Sequence, residues 1–430
     1  MGAQMSARRQ LRRAMAASVV GNVVEWFDFA VYGYLVSYLA PHFFPSYDPV
    51  ASTMATFAVF AIGYFARPVG AVILGRFGDR RGRRPLLVLS ITLLGLSSCG
   101  IGLLPTYASI GIAAPLLLVL LRLVQGFSVG GEYTGSMTYL TEIALPGRRG
   151  LTSSFATLGT ILGILLSSSV VWLTHETLSP AALADWGWRL PFLTGLLVAG
   201  FGLWLRWRIP ETLETGSDAP PALPLAAALA RYWRELGTII GIVTGANVAL
   251  YLVFFFAVDV AVKQTADVPI EALNTVALVF MLPFIPLGGW WSDRRGRRPV
   301  SLAANSAMLL LAVPVLALCF SFRLWPGGPA IDPATAFLTG QLLMSVTIGL
   351  ILGVQGAMVA ELLPRKVRCT VFSVAYSLAM ALFAGSAPLL AEWMLNVRGW
   401  TAGPAVYMGF WLIVAIFAVT KARETFRSNL

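Results

Sequence analysis

Long apolar runs separated by short polar segments fill the chain. A helix that crosses a bilayer needs about 20 mainly apolar residues. Twelve runs reach that length: 14–40, 52–76, 85–104, 110–142, 151–174 and 187–207 in the first half, and 234–260, 272–291, 298–321, 334–361, 368–394 and 402–420 in the second. No long segment alternates apolar and polar residues as a barrel strand does. The pattern predicts an all-α polytopic membrane protein with twelve transmembrane helices.

Composition supports that reading. Of the 430 residues, 57% are hydrophobic and 12% charged, against about 25% charged in soluble proteins. A soluble chain of this length would need polar surfaces that this one cannot supply. The net charge of +11 can signal nucleic acid, but the charges sit in short clusters between apolar runs, as membrane topology requires. With the N-terminus placed inside, 25 of the 31 lysines and arginines fall on the cytoplasmic side and four outside, leaving Arg67 and Arg122 within spans. Both termini are therefore expected in the cytoplasm. The first apolar run lacks a small-residue cleavage site and reads as a retained helix rather than a signal peptide. Cys99, Cys319 and Cys369 lie far apart, and the two histidines, His42 and His175, fall in external loops. Neither a zinc site nor a catalytic triad is expected. No Walker or dinucleotide loop is present, so no cofactor is implied.

The segment "GRFGDRRGRRP" (75–85) recurs as "GGWWSDRRGRRP" (288–299), each after the second span of its half. A weaker echo joins "EIALPGRRG" (142–150) to "ELLPRKVRC" (361–369). Two halves of like orientation are a common transporter plan. The expected division is a first bundle (1–208), a cytoplasmic linker (209–231) rich in Pro, Gly and acidic residues, and a second bundle (232–430).

On these motifs the chain resembles the major facilitator superfamily along almost its whole length. "RLVQGFSVGG" (122–131) is similar to the superfamily's helix-4 motif, whose arginine is associated with proton coupling. "GNVVEWFDFAVYGYL" (21–35), "QGFSVGGEY" and "DWGWRLPF" (185–192) together resemble the metabolite:proton symporter family, which includes permeases for proline and betaine, α-ketoglutarate, citrate and shikimate. The resemblance implies two six-helix bundles related by pseudo-twofold symmetry, a bacterial-type inner-membrane location, a monomer, and a small-molecule substrate moved with a proton. It also implies a cytoplasmic latch around Asp79 and Arg83, repeated at Asp293 and Arg297, with Arg67 as a further member. Gly82 permits the turn there and Pro85 suits the first turn of the next helix. The bland reading is a basic loop that only fixes topology.

Helix 1 raises a sharper question, because Glu25 and Asp28 sit in its middle. At 1.5 Å per residue they lie roughly 16 and 21 Å into the membrane, and Arg122 on helix 4 reaches a similar depth. Charges there must face the bundle interior. Asn22, Glu25, Phe29 and Tyr32 form one stripe, with Asp28 beside it; Arg122, Gln125, Val129 and Glu132/Tyr133 form another. A buried carboxyl that gains and loses an arginine partner changes its proton affinity. Asp28 is the expected proton carrier with Arg122 as its switchable partner, followed by Glu25 and Glu132. A static ion pair that fixes helix register is the alternative.

Asn22, Tyr32, Arg122, Gln125, Tyr133, Asn247, Tyr251, Gln355, Ser373, Tyr376 and Ser377 are the expected substrate contacts. Each could equally serve a helix–helix hydrogen bond. The helix-4 arginine, and a chain that ends soon after helix 12 where osmolyte carriers extend, favour a di- or tricarboxylate. A zwitterionic osmolyte, or a uniporter or exchanger of the same fold, stays open.

Overall fold

The computed structural model describes the backbone of residues 2–81, 83–208, 225–265, 267–322 and 330–427, and their side chains except at 2–10, 75–76, 78–81, 83–84, 86–87 and 205–208. All twelve expected spans are helices: α1 (Gly2–Tyr34), α2 (Pro49–Arg81), α3 (Arg83–Leu103), α4 (Ala113–Glu142), α5 (Arg149–Thr177), α6 (Leu190–Arg208), α7 (Trp233–Gln264), α8 (Ile270–Arg295), α9 (Arg297–Ser321), α10 (Pro333–Leu362), α11 (Arg368–Val397) and α12 (Gly403–Lys421). Among the described residues, ten are long and apolar enough on their own to cross a membrane; α3 and α6 are the other two expected spans. Large apolar side chains such as Leu96 on α3, Leu197 on α6, Leu310 on α9 and Phe417 on α12 are exposed, which suits contact with lipid.

Two boundaries differ from expectation. α1 ends at Tyr34 rather than near residue 40: Leu35 leaves helical geometry (φ −103°, ψ 12°), and a short helix, Val36–Phe43, turns aside. The expected linker is partly helical, since Leu225–Arg231 forms a helix that packs on α7 and α11. Several spans are also interrupted. α4 breaks at Gly131, whose φ of +87° a side chain would resist. α7 holds a π-helical turn at Leu252–Phe256, and α11 holds two, at Met380–Ala384 and Trp393–Val397.

The repeat in the sequence is a repeat in packing. α1 packs on α5, α2 on α4, and α3 on α4 and α6; six helices later α7 packs on α11, α8 on α10, and α9 on α10 and α12. Glycines make the α2–α4 and α8–α10 seams. A Cβ at Gly126 would overlap the Gly63 carbonyl, and one at Gly353 the Ile285 carbonyl. Without a hydrophobic drive inside lipid, such close backbone approach supplies the packing energy. Between halves, α5 meets α8 and α10, and α2 meets α11. These contacts frame the centre where the charged residues lie.

Candidate transport site

The midplane charges come together in a different pairing from the one expected. Glu25 forms its ion pair with Arg67, Oε1 to Nη1 at 3.4 Å, and not with Arg122. Arg67, expected at the latch, thus joins the central cluster in this conformation. A helical side chain leans toward its helix N-terminus, so Arg67 on α2 reaches back toward the middle. Its guanidinium carbon lies 4.4 Å from the Phe29 ring centroid and 4.7 Å from that of Tyr64. Arg122 shares the Phe29 ring at 4.6 Å and covers Tyr32 at 4.4 Å. It donates to Gln125 Oε1 (2.9 Å) and the Phe60 carbonyl (3.3 Å). Among the described residues, Nε and Nη2 of Arg67, Nε of Arg122 and Nε2 of Gln125 are buried without an acceptor.

Asp28 points elsewhere. Its Oδ1 and the Ser98 hydroxyl flank the backbone of Gly195, so the carboxylate occupies a notch between α3 and α6. Ser98 is the polar side chain beside Asp28 there. The expected Asp28–Arg122 ion pair is absent from this conformation. The reason is azimuth: three residues along a helix turn the side chain by about 60° from that of Glu25.

The other expected contacts divide into three groups. Asn22 spends its amide on the Ser18 carbonyl (2.9 Å) and Ser136 Oγ (3.0 Å), and Tyr32 donates to the Thr56 carbonyl (3.1 Å), all inside the first half. Asn247 donates to the Val243 carbonyl (2.6 Å) and Gln355 to the Ile242 carbonyl (3.4 Å), inside the second. Four more bridge the halves. The Tyr251 and Tyr64 hydroxyls are bonded, Ser373 Oγ meets Thr134 Oγ1 at 2.6 Å, and the Tyr133 and Tyr376 rings are 5.2 Å apart. Ser377 is buried one turn below Ser373 on α11. Glu132 opens the second piece of α4, just past the Gly131 break, and is only partly buried.

Bonds join the two halves near both ends of the bundle. At the arginine-rich end, Asp293 accepts from the backbone N–H groups of Gly150 and Leu151 at 2.8 Å each, capping the start of α5 from the other half. Arg297 binds Asp293 (2.7 Å) and holds Glu361 with two nitrogens (3.1 and 3.0 Å). Arg149 lies 3.7 Å from Glu361, and its counterpart in the repeat, Arg368, bonds Glu142 at 2.7 Å. At the far end, Ser37 donates to Asp259 (2.5 Å), Lys263 to Thr53 (3.3 Å), and Asn274 to Tyr34 (3.1 Å). His175 meets Glu271 there at 2.8 Å. The side chains of Asp79 and Arg83 lie outside the described residues.

Comparison with known proteins decides what this path belongs to. Residues 14–214 match the family described as "Sugar (and other) transporter". The chain is 33% identical to the ectoine/proline transporter ProP of Corynebacterium glutamicum, over 98% of this chain and 86% of that protein. It is 36% identical to the citrate-proton symporter of Klebsiella pneumoniae, over 93% and 88%. This chain belongs to the metabolite:proton symporter family of the major facilitator superfamily. The fold agrees: the partially occluded, inward-open xylose transporter XylE of Escherichia coli superposes with a TM-score of 0.75 over 98% of this chain and 99% of that one, at 19% identity. The protein is thus a multi-pass membrane transporter of a proton-coupled family, and not an enzyme.

Several residues that shape the symporter's site escape the sequence reading. Tyr64 sits at i−3 from Arg67, and Phe60, Tyr64 and Arg67 form a helical stripe that could have revealed it. Ser98, Asn274 and Gln341 carry no such signal. Gln341 links the Asn274 side chain (2.9 Å) to the Val253 carbonyl (3.0 Å) in the π turn of α7.

Proposed function

We propose that this symporter takes up a small organic acid, a di- or tricarboxylate, with a proton, by alternating rocking of its halves 1–208 and 232–430. The observation that carries the reading is the set of buried donors on Arg67, Arg122 and Gln125 left without acceptors. An unmet buried donor costs about 1–3 kcal/mol, and a carboxylate supplies the missing acceptors. Arg67, Arg122 and a single carboxylate, Glu25, occupy the centre, so the region carries one surplus positive charge while Asp28 is protonated. In this scheme Asp28 carries the proton. Its ionisation cancels that surplus and releases the anion, which couples the two fluxes. The latch at Asp293 and Arg297 has its counterpart in Asp79 and Arg83. By the repeat, Asp79 stands to the start of α11 as Asp293 does to the start of α5. The arginine-rich end, with both chain termini, faces the cytoplasm under the positive-inside rule.

A second reading is a zwitterionic osmolyte, supported by the similarity to an ectoine/proline carrier. Against it, the aromatic faces that would hold a substrate's cation already hold Arg67 and Arg122. A thermal-shift screen of purified protein separates the two. Citrate or α-ketoglutarate should stabilise the protein, more at acid than at neutral pH. Stabilisation by betaine or proline alone would overturn the carboxylate reading.

A further inference from the structure

A cavity of about 580 Å³ opens at the far end of the second half, between α7, α9, α11 and α12. It lies apart from the central cluster, none of whose residues lines it. Its volume falls within the range of small-molecule sites, roughly 300–1,000 Å³. One wall is apolar, made by Val260, Val313, Leu316 and Leu395; the polar lining includes Lys263, Glu392 and Asn396.

Glu392 is the informative residue. It is 2% exposed, and among the described residues no cation lies within ion-pair distance of it. Asn396 is its polar neighbour, and Lys263 acts on it only through space. The Lys263 ammonium is turned to Asp259, at 2.8 Å, and its side chain is 40% exposed. Burying a carboxylate without a counter-ion is expensive. The backbone beside it is also irregular, because the π turn Trp393–Val397 follows Glu392 directly and carries Leu395 and Asn396 into the cavity wall. Such turns recur at functional sites.

We propose that this cavity is a second solute site, which binds a small amphipathic zwitterion of the kind represented by an amino acid with an apolar side chain. The ammonium sits on Glu392, the carboxylate on Lys263, and the side chain against Val313 and Leu316. Lys263 also belongs to the far-end closure, through Asp259 to Ser37 and directly to Thr53. A carboxylate on Lys263 competes with Asp259 and Thr53, so occupancy loosens that end. The site thereby regulates opening without entering the central path, and it stands whether or not the transported solute is an organic acid.

The test is hydrogen exchange on the purified full chain with L-leucine as probe, and 4-methylpentanoate and 3-methylbutylamine as its single-charge controls. Leucine should protect segments 259–264 and 392–397, with each control at least about tenfold weaker, as loss of a charged hydrogen bond requires. Glu392→Gln should weaken leucine binding by a similar factor, and Leu316→Trp, which fills the cavity, should abolish the protection. No protection by leucine at saturating concentration, or equal protection in folded Glu392→Gln and Leu316→Trp, overturns the proposal. Protection by phosphatidylethanolamine in nanodiscs but not by leucine also overturns it, in favour of a lipid headgroup. The central cluster reports on different segments, so failure of the carboxylate reading leaves these outcomes unchanged.

Discussion

Replacing Asp293 by asparagine should open the arginine-rich end. Asp293 accepts two backbone N–H bonds from the start of α5 at 2.8 Å each and one from Arg297 at 2.7 Å. Asparagine keeps one accepting oxygen and turns the other group into a donor that faces a donor. A hydrogen bond to a charged group contributes about 1.5–3 kcal/mol, and an anion at a helix N-terminus adds about 0.3–1 kcal/mol. Arg297 retains Glu361, so the loss falls on the contact between halves. Closure should weaken by about 2–4 kcal/mol, a factor of roughly 30 to 700 in the closed-to-open ratio. Spin labels at Pro146→Cys and Lys366→Cys, both exposed and on opposite halves, read that ratio as a distance distribution, with Cys99, Cys319 and Cys369 changed to alanine. The short-distance population should fall and a longer one appear. An unchanged distribution in the variant would refute the capping argument.

Three further outcomes follow from the same structure. Asp28→Asn should abolish uptake against a gradient while exchange between equal pools survives; normal uphill uptake would contradict Asp28 as proton carrier. Gly126→Ala should lower thermal stability by roughly 1–3 kcal/mol through overpacking against the Gly63 carbonyl, whereas Gly200→Ala, which meets open space, should be neutral; equal melting curves for all three proteins would contradict the seam. At the C-terminal tail, burial raises the Glu424 pKa, but backbone N–H donors from Arg297, Arg298, Phe426 and Thr425 outweigh it and hold the carboxyl below its usual 4.5. A depressed carboxyl stabilises the docked tail above that usual value and loses the effect as pH falls through the lower folded value. A fluorophore at Arg427→Cys should become mobile over that acid range, and already at neutral pH in Glu424→Gln; a tail as rigid in Glu424→Gln as in the parent would refute the cap.

The helices were legible because a long apolar run has few other readings in a chain so poor in charge. The repeated Asp-Arg loop made the pairwise packing of the second half legible as well. The pairing at the centre was not. Depth along a helix follows from residue count, but the direction of a side chain also depends on which neighbours surround it. Glu25 and Asp28 differ by about 60° in direction, and that sends one to Arg67 and the other to Ser98. Arg67 reads as a member of the basic end by position, yet its long side chain spans the distance to Glu25. The bond between Asp293 and the α5 amides is tertiary, and only the repeat of the motif hinted that an acid was needed there. The break of α4 at Gly131 carries no signal in the apolar pattern and shows only in that residue's positive φ.

The most direct measurement is uptake of labelled citrate and α-ketoglutarate into proteoliposomes with and without an imposed pH gradient, acid outside. The account predicts accumulation above the external concentration only with the gradient, lost in Arg122→Gln and in Asp28→Asn. Accumulation of betaine or proline but of neither acid, or acid uptake indifferent to the gradient, would contradict it.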